Sequence, residues 1–551
     1  MHKQFDYVIV GGGSSGCALA ARLSEDRSTS VLLLEAGPRD VHPLHHVPAG
    51  YFALGRRYTW GYHSTPQRHA CDRSVELPQG RMMGGGSSVN AMVMVRGVPK
   101  DYDDWARAYG CTGWSYRDVL PYFIRSESND TFSDEFHGNE GPVGVSRVMP
   151  HSLTQAFVRA AQQSGIPYNA DFNSPQPAGC GYYQTSIRDG RRCSTSVAYL
   201  RPALGRPNLT ARSDVTALKI VVERGRAVGV QIAAGRALTT IRAEREVIVA
   251  AGAVGSPKLL LLSGIGPAAH LDQLGIQPVL DLPGVGCNLQ DHARVDLYYE
   301  LNGHHSLDRY KKPFPLLMLG LEYLLYRHGA IASNSLDGGG FWWSQGHGPD
   351  PNMQFFFVPL TSGGVPYRHG CSMNFYELRP RSRGTVRLRS SDPLAQPLID
   401  PNYLAEQADL EHAVSGLEVC RAIMRQPAMA KLISREYAPG PEVRTPEELA
   451  QYARRSVDTG YHLVGTCRMG IDESAVVTPE LQVRGISGLR VCDSSIMPAI
   501  VSGNTNAAVI MIAEKAADLV TGRALAPVVS EVRRAAISPL RQGLAQDSLS
   551  L

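Results

Sequence analysis

The chain has ten cysteines but no C-x-x-C pair. Cysteines scattered singly exclude metal-finger spacing and favour a reducing compartment over a disulfide framework. No run of Lys or Arg accompanies the formal net charge of +4. Neither nucleic acid nor an anionic membrane surface is therefore indicated as a partner. No internal repeat is visible, and the N-terminal "MHKQFDYVIVGGG" lacks a signal-peptide core. No apolar run is long enough to cross a bilayer. The most apolar later stretch, "PLLMLGLEYLLYR" at 315–327, is short and carries Glu322. It reads as a core helix. The expectation is a soluble, cytoplasmic protein, with peripheral attachment to the inner face of the membrane through this stretch as the alternative. What is present is 551 residues, 43% apolar and 19% charged, with 55 glycines and 36 prolines. That is enough chain for two or more globular domains.

"FDYVIVGGGSSGCALAARLS" reads as a buried strand (5–10), a glycine turn (11–16) and a helix with an alanine-rich face, followed by a second strand, "VLLLEAG" (31–37). Gly11, Gly13 and Gly16 form G-x-G-x-x-G in this βαβ unit. The first glycine permits the tight turn, the second admits a pyrophosphate, and the third lets helix and strand pack closely. Glu35 ends the second strand, placed to accept from ribose hydroxyls and to repel the 2′-phosphate of NADP, which leaves FAD or NAD. Cys17 begins the helix as a close-packing residue.

Three further stretches carry the chemistry. "GRMMGGGSSVNAMVMVRG" (80–97) is a glycine loop running into an apolar segment, suited to lie against a flat ligand. "AGAVGSPKLLLLSGIG" (251–266) suggests a strand end, a turn at Ser256-Pro257 and a short apolar helix, with "LPGVGCNLQDH" (282–292) adding a loop downstream. "LRVCDSSIMPAIVSGNTNAAVIMIAEKAADLV" (489–520) reads as strand, loop and a helix starting near Asn506. In this order they resemble the glucose–methanol–choline oxidoreductases, FAD-dependent alcohol oxidases and dehydrogenases. The resemblance runs to about residue 522, and departs at Met83 and Met94, where a smaller aliphatic and an aromatic are usual. Within the family, "LLEAGPRDVHPL", "GYYQTSIRDGRR" and "DPNYL" are most similar to bacterial primary-alcohol dehydrogenases, with choline dehydrogenases as near relatives.

The resemblance implies FAD as cofactor, its adenosine diphosphate half on Gly11, Gly13, Ser14, Ser15, Gly16 and Glu35, with the Val215 backbone at the adenine. It places the isoalloxazine on Gly84, Gly85, Gly86, Ser88, Asn90, Ala91, Met92 and Val93. Asn504, Thr505 and Asn506 would present a helix N-terminus to the ring, where negative charge develops on reduction. Asp493 would bond the pyrophosphate–ribitol side or hold a turn. Covalent members carry a histidine before the signature asparagine; Val89 stands there, so binding is expected to be non-covalent.

"TGYHLVGTCRMG" (459–470) contains His462 among apolar residues, which by itself fits a core histidine, a metal ligand with Cys467, or a base. Zinc lacks a second ligand pair and suitable spacing, so no metal is expected. The resemblance assigns His462 as the base and Asn504 as its partner, which donates to the developing alkoxide. A primary alcohol would lose its O–H proton to His462 and its α-hydride to flavin N5. Electrons would pass to a quinone or another carrier. The alternatives are an oxidase releasing H₂O₂, a choline dehydrogenase, and a hydroxynitrile-lyase-like enzyme with redox-silent FAD. The expected fold is mixed α/β: a Rossmann-like FAD domain (1–155, 196–297, 460–524), a substrate domain on an antiparallel sheet (156–195, 298–459) and a tail (525–551). Trp342 and Phe357 are candidates for the substrate pocket, and Asp337 for a cationic substrate; plain packing is the alternative for each.

Overall fold

Runs rich in β-branched and leucine side chains, unbroken by polar residues, suit strands covered on both faces, and two such runs form the centre of the first sheet. Gln4–Val10 lies between Val31–Leu34 and the thirteen-residue strand Ala237–Val249, parallel to both. Leu209–Arg212 extends the sheet beyond Val31–Leu34, and Leu489–Val491 adds in parallel to the far half of Ala237–Val249. The near half of that long strand pairs antiparallel with Arg226–Ala234, which pairs in turn with Thr216–Glu223. One strand thus joins a parallel nucleotide-type sheet to an antiparallel meander. The computed structural model describes residues 4–235, 237–346, 348–361 and 369–528. The expected tail lies outside the described residues from 529 onward.

A second sheet is antiparallel throughout, in the order Ile433–Ala438, Ala293–Leu301, Gly370–Glu377, Met353–Val358, Gly338–Trp342, Gly179–Tyr182. Asp458–Thr459 pairs with the start of Ala293–Leu301, Thr459 opposite Ala293. Two expected boundaries need moving: 297/298 falls inside the strand Ala293–Leu301, and 155/156 inside the helix Ser152–Gln163.

The turn expected at Ser256-Pro257 is also corrected. Both residues lie within the helix Gly252–Leu262. Pro257 has no N–H for the carbonyl of Ala253, four residues earlier, and would ordinarily break a helix there. Thr466 Oγ1 donates to that carbonyl instead, at 2.6 Å. A hydroxyl from a distant segment replaces the missing backbone donor, which the local sequence cannot show.

The stretch at 315–327 does form a helix, Pro313–Tyr326, but not a core one. Only Leu319 and Tyr323 are buried, one turn apart. Eight large apolar side chains of this helix face solvent.

Candidate active site

A cavity of about 1100 Å³ opens between the two sheets. Small-molecule sites usually enclose roughly 300–1,000 Å³, so there is room for an extended ligand and a smaller one beside it. The helices Ser14–Leu23 and Asn506–Thr521 both bring N-termini without a side-chain cap to its wall. Free N–H groups and the positive end of each helix dipole suit the phosphates and the electron-accepting ring of a flavin dinucleotide. The glycine loop leaves matching space: a Cβ added at Gly86 would meet no atom within 4 Å. Gly11 holds φ +106° at the turn, and a Cβ on Gly16 would come within 1.8 Å of the Gly11 carbonyl oxygen. FAD therefore fits the residues present.

On this nucleotide side Gly11, Gly13, Ser14, Ser15, Glu35, Val215, Asp493, Thr505 and Asn506 line the cavity, as do Gly85, Gly86 and Asn90 to Val93. Three expected contacts lie behind its wall. Gly16 is the helix–strand packing residue. Gly84 donates its N–H to the Gly12 carbonyl at 2.7 Å, and Ser88 Oγ donates to the Met83 carbonyl at 2.9 Å. Ser14 Oγ donates to Asn506 Oδ1 at 2.8 Å, joining the two helix N-termini. Glu35 accepts from the N–H groups of Gly12 and Gly37, both at 2.8 Å, and burial pushes its carboxyl up to about 7. The Val215 N–H is taken by the Glu35 carbonyl at 2.9 Å. Asp493 already accepts from the N–H and hydroxyl of Ser495, the N–H of Gly252 and the Ser256 hydroxyl. Its carboxylate locks a turn to the helix start, although it faces the cavity.

His462 is 8% exposed, and its ring reaches the opposite part of the same cavity. Its neighbours determine its tautomer. His292 Nε2 lies 3.1 Å from the Leu378 carbonyl, which only accepts, so Nε2 carries the proton. Burial lowers His292 to about 3, so the ring is neutral and its Nδ1 is an acceptor. That atom lies 2.9 Å from His462 Nδ1, which must therefore donate. His462 Nε2 is left with a lone pair, 3.1 Å from Asn504 Nδ2. Asn504 is oriented too: Tyr376 donates its hydroxyl proton to Gln354 Oε1 at 2.7 Å, and Gln354 Nε2 donates to Asn504 Oδ1 at 3.2 Å. Burial first, then His292 and Arg294, hold His462 well below its ordinary 6.5. The ring is neutral across the neutral pH range.

Sequence reasoning passed over His292, Asp291, Gln354 and Tyr376. Asp291 accepts the backbone N–H of His462 at 2.8 Å, together with Thr459 Oγ1 and the Tyr403 hydroxyl, and fixes the turn that presents the ring. The pairing of Ala293 with Thr459 brings "LQDH" beside "TGYH", and the Gly460 N–H donates to the His292 carbonyl at 2.7 Å. The only local signal was an acid–histidine pair at a strand start. Cys467 does not share the cavity with His462. Among the described residues no three His, Cys, Asp or Glu side chains group as metal ligands.

The substrate-pocket candidates also move. Phe357 points away from the cavity and stacks on Phe157, ring centroids 4.7 Å apart, whereas Phe356 and Val358 line it. Strand alternation turns every second side chain inward, so Phe357 takes the packing alternative and its neighbours face the cavity. Trp342 packs against the core of the second sheet. Asp337 is buried outside the cavity, accepting from the His151 N–H and the Thr154 hydroxyl.

An oriented histidine lone pair beside a dinucleotide-sized cleft suits a flavin-dependent oxidoreductase, and comparison with known proteins gives the family. Models described as GMC oxidoreductase match residues 5–294 and 380–513. The chain is 41% identical to an alcohol dehydrogenase [acceptor] of Pseudomonas putida, over 94% of this chain and 95% of that protein. It is 42% identical to an oxygen-dependent choline dehydrogenase of Brucella ovis, over 94% and 96%. An FAD-dependent oxidoreductase from Chaetomium thermophilum superimposes with a TM-score of 0.87 at 30% identity, covering 94% of this chain and 99% of that one. The chain belongs to the GMC oxidoreductase family. It is an FAD-dependent enzyme that oxidises CH–OH groups.

Proposed function

We propose that the protein oxidises primary alcohols with an apolar body, using non-covalently bound FAD and passing electrons to a quinone or another carrier. The observation that carries the chemistry is the His462–Asn504 pair, 3.1 Å apart, with the Nε2 lone pair set by His292. An alcohol that displaces this Asn504–His462 contact donates its O–H to Nε2, while its oxygen accepts from Asn504 Nδ2. Proton removal at Nε2 and hydrogen bonding to the developing alkoxide act together in the transition state. FAD, when bound, supplies the acceptor for the α-hydrogen and its electron pair. Phe356, Val358, Tyr376 and Leu336 form an apolar wall beside the pair.

Non-covalent binding is supported by the lining: its described residues include no cysteine, no histidine but His462, and Val89 before Asn90. A carrier as acceptor is supported by the name of the Pseudomonas putida relative. A choline-type substrate is supported by the name of the Brucella ovis relative and by one feature of the cavity. Asp296 and Asp458 both line the cavity against a single guanidinium, Arg294, at 3.1 and 2.8 Å. Both carboxylates are engaged by that guanidinium, so we favour the uncharged alcohol. Anaerobic bleaching of the flavin by a series of n-alcohols, benzyl alcohol and choline decides between them. Choline as the sole bleaching substrate would overturn the assignment. Phenazine dyes should reoxidise the enzyme faster than O₂; faster O₂ consumption with peroxide release would make it an oxidase.

A further inference from the structure

The helix Pro313–Tyr326 presents Phe314, Leu316, Leu317, Met318, Leu321, Leu324, Leu325 and Tyr326 to solvent, each between 44% and 72% exposed. They are eight of the nineteen exposed large apolar side chains among the described residues, gathered on fourteen positions. Soluble surfaces seldom carry so concentrated a patch without an interaction partner.

We infer that this helix docks the enzyme on an anionic phospholipid bilayer, lying in the interface rather than crossing it. Its length argues against crossing: fourteen residues extend about 21 Å at the helical rise, short of the roughly 30 Å hydrocarbon core. No helix of the described residues is long and apolar enough to cross a membrane. The charges around it select the partner. Arg309 and Lys312 precede the helix and Arg327 follows it, all exposed and without an ion-pair partner among the described residues. Tyr323 donates its hydroxyl to the Gly190 carbonyl at 3.0 Å, which brings the hairpin carrying exposed Arg191 alongside. The acids nearby are Asp308, buried against Lys311, Glu322, paired with His328, and exposed Asp189. The unpaired excess is cationic. An apolar helix rimmed by cations suits acyl chains beneath anionic headgroups, and a basic rim does not suit a second copy of itself.

The placement relates the surface to the cavity. Just after the helix, Asn334 donates to the Ala91 carbonyl at 2.7 Å and accepts from the Tyr51 hydroxyl at 2.9 Å. Leu336 then lines the cavity, and Phe52, half-exposed, stands at its edge. Docking by this helix would bring the Leu336 and Phe52 side of the cavity towards the bilayer surface. The low overall charge in the sequence had argued against an anionic surface, because the excess is local and the apolar residues look like core until their exposure is known.

The test is co-sedimentation of the FAD-loaded enzyme with vesicles of phosphatidylcholine alone or with phosphatidylglycerol, bound protein being read by flavin absorbance. Expected is binding to the mixed vesicles that falls roughly tenfold or more in Leu317→Glu/Leu321→Glu. Arg309→Glu/Lys312→Glu should lose the preference for phosphatidylglycerol. Dye-linked alcohol oxidation and FAD content should be unchanged in both variants, so the outcome is independent of the assigned substrate. Three results would overturn the proposal: wild type left in the supernatant, binding indifferent to either variant, or a wild-type dimer that Leu317→Glu/Leu321→Glu turns into monomer. The last would show that a second copy covers the face.

Discussion

His292 and His462 share a hydrogen bond between their Nδ1 atoms, 2.9 Å apart, and the Leu378 carbonyl beyond His292 decides which ring donates. His292 does not itself line the cavity; it acts through the ring of His462, as a positioning residue. Replacing it by Phe removes the acceptor and leaves the His462 tautomer undirected. Flavin reduction should slow by roughly 10–100-fold, by analogy with the outer partners that orient metal-ligating histidines. Half-saturation by alcohol should barely change, and His292→Gln, whose carboxamide oxygen accepts, should recover part of the rate. Stopped-flow reduction of both variants, normalised to bound FAD, checks this. A loss of FAD without a change in the rate of remaining holoenzyme would make His292 a packing residue.

His462→Ala should keep fold and FAD, since the nucleotide contacts come from other segments, while reduction slows about 10²–10⁴-fold. Asn504→Ala should slow reduction too, but keep the wild-type dependence on pH, because an amide does not titrate. The same stopped-flow assay across pH separates the two roles.

The acid limb of that profile should lie well below 6.5. His462 is held down by burial and by its cationic and imidazole neighbours, so the neutral, proton-accepting form persists through neutrality. The same shift bears on stability. His292 and His462 bind protons more weakly when folded than when unfolded. The unfolded chain therefore gains protons first as pH falls, and stability present above about 6.5 is lost progressively towards the folded value of about 3 for His292. Melting temperature against pH should decline on this side, and less steeply in His292→Phe.

Thr466→Val should strand the Ala253 carbonyl, whose backbone donor Pro257 has removed. A buried unpaired carbonyl costs about 1–3 kcal/mol, so denaturant unfolding should shift to lower midpoint with the slope unchanged. No loss would show that water replaces the hydroxyl.

Acid precipitation should leave a colourless pellet and free FAD in the supernatant. A pellet that stays yellow after denaturation would show a covalent bond and direct attention to a tyrosine of the cavity wall.

The nucleotide half was legible because its determinants are local. G-x-G-x-x-G sits between a strand and a helix, and glycines are needed where backbone meets backbone, as at Gly16 and Gly11. The helix start at Asn506 was legible for the same reason. His462 and Asn504 were named from a family pattern, and nothing in "TGYHLVGTC" by itself distinguished a base from a core histidine. That distinction is made by atoms far away in the chain: His292 across a strand pair, Leu378 beyond it, and Gln354 and Tyr376 from the neighbouring strands. A proton's position on an imidazole depends on which acceptors surround it, and those are assembled only when the second sheet closes. Parity on the strand at 353–358 was undecided for a related reason: four successive apolar residues, Phe355 to Val358, give no alternation to read. The apolar residues at 315–327 likewise carry no mark of burial or exposure. Hydrophobicity states what a side chain would leave water for, and only packing shows whether the rest of the protein provides it.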